Sequence, residues 1–112
     1  MDKRTAVLTR DAGTSRMRCV VRAISGEPRF TADRAMAPRG AAEGAQVERD
    51  AAVFGDALVG LTREASAFCA DAGVRLLCLS LSSQRSSLIA LDGGGEPLRP
   101  AIMWQDRRTE EI

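Results

Sequence analysis

The sequence predicts an α/β domain with one long helix laid against a sheet, and three observations predict it. A run with apolar residues at steps of three and four, from Val47 to Ala72, has the spacing of a helix face. Short apolar runs bounded by turn residues precede it. An almost continuous apolar run, Val74 to Leu81, follows at once. The chain has 112 residues, enough for a small domain with a core of its own.

Thr5 to Thr9 is the first strand candidate, and Cys19 to Ile24 the second, closed by the turn Ser25-Gly26-Glu27-Pro28. Asp11 to Ser15 then forms a tight loop between them. Two readings of this loop stay open. As a ligand loop, Gly13 lets the backbone approach a phosphate, Thr14 and Ser15 add hydroxyls to the backbone amides, and Asp11 could hold magnesium directly or through water. As a plain hairpin turn, the same Asp/Gly/Ser/Thr composition needs no ligand. It is not a Walker loop, because the G-x-x-x-x-G-K-[ST] spacing is missing.

A third, short strand begins near Arg29, and the rest of Phe30 to Gly44 reads as loop. In the helix, Phe54, Leu58, Leu61, Ala65, Phe68 and Ala72 form the buried face. Asp50 is its N-cap, Gly73 its C-terminal stop, and Gly60 marks close packing. Val74 to Leu81 should be a buried, central strand. Ser87 to Leu91 and Ala101 to Trp104 read as two more strands joined through Asp92, three glycines and Pro97. Their pairing would bring Gln84, Arg85 and Ser86 to the same end of the sheet as Trp104 and Gln105 to Arg108. A pocket with one aromatic wall and several hydrogen-bonding groups suits a polyhydroxylated ligand. Asp106 to Ile112 looks like the opening turn of a further helix.

Composition narrows the function. The net charge is +1 and the arginines are dispersed among acids, which offers no stripe for a nucleic-acid backbone. There is no histidine, so Ser-His-Asp and Cys-His chemistry is excluded within this chain, and a zinc site is not expected. Cys19, Cys69 and Cys78 lie in apolar segments and should be buried free thiols of a reducing compartment. The N-terminus lacks a signal-peptide core, and no stretch approaches membrane-spanning length, so the reading is a soluble cytoplasmic protein.

Three motifs, in order, resemble the FGGY carbohydrate kinases. They are Asp11-Ala-Gly-Thr-Ser15 with Arg18, Ser82-Ser-Gln-Arg-Ser86, and the long segment Asp92 to Thr109 around Trp104. Gln46 to Asp50 is similar to the family's lead-in to the helix. The resemblance spans essentially the whole chain. It implies a ribonuclease-H-like (actin-like ATPase) fold, here the N-terminal part of the first domain with a mixed sheet. It also implies transfer of the ATP γ-phosphoryl group to a sugar or polyol hydroxyl, with magnesium.

By motif position, Asp11 would help place the metal, and Gly13, Thr14, Ser15 and Arg18 would contact phosphates. Arg85, Ser86 and Trp104 would line the substrate, supported by Gln84 and Asp106. The run around Trp104 is more similar to the glycerol-kinase side of the family than to the xylulose side. Ser86, however, stands where glycerol kinases commonly carry an acidic residue. The family's catalytic aspartate and its adenosine-binding second domain have no counterpart within residues 1–112. The resemblance therefore implies a piece of a kinase, inactive alone, whose parent could be a homo-oligomer. A stand-alone, non-catalytic α/β module that binds a sugar, a nucleotide or a protein is the other reading. The two differ in surface, because a cut domain would expose an apolar patch.

Overall fold

The computed structural model describes residues 3–36 and 48–107. Three strands, β1 (Thr5–Ala12), β2 (Arg16–Ala23) and β3 (Pro28–Ala35), form an antiparallel meander. A two-residue strand β4 (Glu48–Arg49) leads into helix α1 (Ala51–Ala72), which delivers the chain to β5 (Arg75–Ser83). Strand β5 pairs parallel to β1, so the sheet is mixed, in the order β3-β2-β1-β5. A second small ribbon joins β4 to β6 (Ala101–Ile102).

Period-two alternation explains the core. Ala6 and Leu8 of β1 and Met17, Cys19 and Val21 of β2 share one face of the sheet, and α1 covers it with Ala57, Leu61, Ala65 and Cys69. Of the helix face read from the sequence, Leu61 and Ala65 are fully buried, and Phe54, Leu58 and Phe68 are partly buried. Ala72 is exposed, while Ala57 and Cys69 complete the stripe. Phe68 stacks on Phe30 with ring centroids 5.0 Å apart, tying the helix to β3. Phe54 touches a second cluster of Ala51, Ala101 and Met103, which seats β6 under the start of the helix.

The helix ends follow local chemistry. Asp50 accepts a hydrogen bond from the Ala52 amide, and Gly73 takes a left-handed conformation (φ 67°) with its amide on the Cys69 carbonyl. Gly60 faces the guanidinium of Arg34, which also pairs with Glu64 at 3.6 Å, so the expected close packing is against a side chain of β3.

Several expectations are corrected. Asp11 and Ala12 belong to β1, because both pair with β2 (Asp11 with Arg18, Ala12 with Met17); the turn itself is only Gly13 to Ser15. Strand β3 runs for eight residues, since seven of its positions find partners on β2 despite a weak apolar pattern. Residues 37–47, including Gln46 and Val47, and residues 108–112 lie outside the described part.

Strand β5 is an edge strand within the described residues. Its apolar run would suit neighbours on both sides, but only β1 pairs with it, leaving Leu77, Leu79, Leu81 and Cys78 exposed. Buried thiols are thus Cys19 and Cys69 only. The expected strand Ser87–Leu91 reduces to two bridges, Leu88 to Ile102 and Leu91 to Pro97. Pro97 and Pro100 supply no amide donors there, and the Asp92 carboxylate captures the Gly94 and Glu96 amides at 2.8 and 2.9 Å, forming a tight turn. No helix among the described residues is long and apolar enough to cross a membrane.

Candidate functional site

The parallel strands β1 and β5 end side by side, Asp11 opposite Ser82 and Ala12 opposite Ser83. Crevices at the carboxyl ends of parallel strands are where α/β sheets bind ligands. The turn after β1 is narrow. The Gly13 amide donates to the Arg16 carbonyl at 3.0 Å, and a Cβ at position 13 would lie 2.6 Å from that same backbone oxygen. Glycine is required here by the turn's own closure.

Just past β5, Gln84 fastens the two strand ends together. Its amide donates to the Ala12 carbonyl at 3.0 Å, and its Nε2 donates to the Gly13 carbonyl at 3.3 Å. Its Oε1 accepts from the Thr14 hydroxyl (3.1 Å) and the Ser87 hydroxyl (2.9 Å). Trp104 closes the ring. Its backbone amide donates to Ser87 Oγ at 3.0 Å, and its indole Nε1 donates to Thr14 Oγ1 at 2.8 Å. Each hydroxyl gives its single proton to Gln84 and accepts from Trp104, so the hydrogen-bond directions are mutually consistent. Segments 70 and 90 positions apart in sequence are locked in one network.

Arg85, Ser86 and Trp104 line one open recess beside this ring, with the indole 53% exposed. Ser86 has a positive φ of 63°, a conformation that costs a non-glycine residue on the order of 1 kcal/mol or more. Asp106 is partly buried, its amide turned back on the Met103 carbonyl at 2.9 Å, and it does not line that recess. Behind the ring lies an apolar cavity bounded by Phe54, Leu58, Leu81 and Ile89 among others.

The other sheet face, away from α1, is polar. Thr9, Asp11, Arg18, Arg22, Ser80 and Ser82 line a shallow recess there. Asp11 is exposed and accepts from Ser82 Oγ at 3.2 Å. Arg18 reaches the Asp33 carboxylate at 3.3 Å, and Arg16 reaches it at 3.0 Å. The hydrogen bond from Arg16, with its charge and that of Arg18, holds the Asp33 carboxyl below its ordinary value. Burial pushes the Cys19 and Cys69 thiols up and draws the buried Arg49 guanidinium down.

The structure thus joins Gly13 and Thr14 to Gln84, and Thr14 to Trp104, and sets Arg85 and Ser86 alongside, while Ser15 stands apart in the turn with its carbonyl accepting from the Met36 amide at 2.8 Å. It places Asp11 and Arg18 on the neighbouring polar face. Ser87 and Asp33 were missed by sequence reasoning. Ser87 could have been suspected as one more hydroxyl in the Gln84 cluster, but Asp33 becomes visible only once β3 is in register with β2. Among the described residues no group of three or more acidic, cysteine or histidine side chains could enclose a metal. A single exposed carboxylate such as Asp11 fits magnesium, which keeps much of its water and shares phosphate oxygens.

No family model matches this chain. Individual relatives do. The chain is 37% identical over 73 residues to the xylulose kinase of Streptomyces rubiginosus, covering 65% of this chain and 14% of that protein. It is 34% identical over 107 residues to the glycerol kinase of Leptothrix cholodnii, covering 95% of this chain and 21% of that protein. The chain is a relative of the FGGY carbohydrate kinases. It spans about a fifth or less of the length of these curated relatives. The crystal structure of Plasmodium falciparum glycerol kinase with ADP superposes with a TM-score of 0.86 at 22% identity, over 96% of this chain and 22% of that one. The fold is accordingly part of an actin-like ATPase domain, with the mixed sheet and single helix described above.

Proposed function

We infer that this chain is the N-terminal part of the first domain of an ATP-dependent sugar or polyol kinase. The observation that carries the reading is the closed ring Thr14–Gln84–Ser87–Trp104, because it holds a phosphate-type turn and an aromatic polyol wall at one end of two parallel strands. Phosphoryl transfer depends on such positioning more than on covalent chemistry. In this reading the β1–β2 turn, with Gly13, Thr14 and Ser15, cradles phosphates together with Arg18. Asp11 helps hold magnesium, which supplies charge neutralisation when bound. Arg85, Ser86 and Trp104 contact the carbohydrate, and Gln84 and Asp106 support them. The location is cytoplasmic, and the parent protein binds no nucleic acid.

The exposed leucines of β5, with Leu88, Leu91 and Leu98 close by in sequence, favour a domain piece over a finished stand-alone module. In the parent, further elements would cover this surface, and the general base and the adenosine site would come from outside residues 1–112. The test starts with the intact mass of the native protein, detected through this segment. It continues with ADP release by the parent against a panel of polyols and sugars. Turnover dependent on one of them is expected, with none from the 112-residue chain. A longer parent without carbohydrate-dependent turnover overturns the kinase reading, and turnover by the short chain overturns its inactivity.

A further inference from the structure

Across the polar face of the sheet, register sets Ser82, Asp11, Arg18 and Asp33 in one row over β5, β1, β2 and β3. Arg16 and Arg18, two positions apart on β2, share that face and converge on a single carboxylate, one on each oxygen of Asp33. Both guanidiniums remain about half exposed, and the carboxylate about one-third. The recess beside Arg18 is lined by Arg10 and Arg22, by Thr9, Ser80 and Ser82, and by the Asp11 carboxylate, and Arg16 lies outside it. Two converging guanidiniums are a recognition geometry for phosphate oxygens, and a carboxylate is the oxyanion a protein can supply itself.

We propose that Arg16 joins Arg18 at the phosphate position already assigned to Arg18, making it a two-arginine clamp, and that Asp33 is the resident internal competitor of that clamp. Phosphate entry exchanges one oxyanion for another, so any phosphate that takes the two arginines must first break their ion pairs with Asp33, which weakens its binding. The two arginines stay aimed at the open face while no ligand is bound. The inference rests on the kinase reading for Arg18's phosphate contact; the convergence of Arg16 and Arg18 on Asp33 stands apart from that reading.

The test is titration of the 112-residue chain with tripolyphosphate at low ionic strength, followed calorimetrically. Asp33→Asn should bind about three- to tenfold more tightly, the scale of two exposed ion pairs released. The double variant Arg16→Gln/Arg18→Gln should lose binding, and adding Asp33→Asn to it should restore nothing. Asp33→Ser, checked for native circular dichroism, serves as a second substitution. Unchanged or weaker binding by both Asp33 variants overturns the competitor role. A gain that persists without the arginines reduces it to long-range charge and overturns it as well. No binding by any variant overturns the site itself. If the parent phosphorylates no carbohydrate yet Asp33→Asn tightens tripolyphosphate, the kinase reading falls and this site stands.

Discussion

The indole Nε1 of Trp104 donates to the hydroxyl of Thr14 at 2.8 Å, across 90 positions of sequence. The only tryptophan of the chain is thereby tied to the turn between β1 and β2. Thr14→Val keeps the shape and removes both the acceptor for Trp104 and the donor to Gln84. The cost should be about 1 kcal/mol in urea unfolding. Trp104 emission should shift to the red and lose anisotropy, and an unchanged spectrum would show the bond to be dispensable.

Ser86 is the one non-glycine residue with positive φ among those described. Ser86→Gly removes the steric cost and should leave stability unchanged or raise it by up to about 1 kcal/mol. Ser86→Val places a β-branched side chain in the same conformation and should lower the urea midpoint by a comparable or larger step. If valine is tolerated as well as glycine, the left-handed conformation is not enforced by its surroundings.

The three thiols should separate cleanly. Cys78 is exposed, whereas Cys19 and Cys69 are buried and their thiols are pushed up by burial, which disfavours the reactive thiolate. Native protein should therefore react rapidly at one cysteine with a thiol reagent, and at three in denaturant. Cys78→Ser should abolish the fast phase.

Asp33 sets a pH dependence of known sign. Its folded value lies below the ordinary 3.8, so the unfolded chain takes up the proton first as pH falls. The stabilisation is fully present above the unfolded value and is lost as pH drops through the folded one. Asp33→Asn should leave the midpoint unaltered in its pH trend near neutrality and remove one acid-side component below about pH 4. A carboxyl resonance titrating above 3.8 would contradict the ion pairs with Arg16 and Arg18.

Leu77, Leu79 and Leu81 leave an apolar edge on β5, each about half exposed. Such edges associate. The chain should show concentration-dependent light scattering, reduced by Leu79→Lys without loss of helix signal. Equal scattering from both forms would place the contact elsewhere.

Much of the architecture was readable locally. Asp50 and Gly73 bound α1 because a cap oxygen and a left-handed glycine act over a few residues. The Leu61 and Ala65 stripe follows from helical period, and the grouping of Gln84 with Trp104 from the run of polar residues at two segment ends. Less was readable where partners are distant. Strand β3 carries little apolar signal, since its stability comes from pairing with β2, and the exposure of β5 depends on what lies beside it, which its own residues do not encode.

The chain's residue types and their order were enough for the α/β class, the helix and its ends, the absence of histidine chemistry, and the three motifs with their kinase resemblance. Those properties depend on neighbours a few positions apart. Tertiary structure alone decided that Thr14 serves Trp104 and Gln84 at once, that Asp33 holds Arg16 and Arg18, and that Cys78 faces outward. Hydrogen bonds and ion pairs act within about 3 Å, and only strand register brings residues so far apart in sequence within that reach.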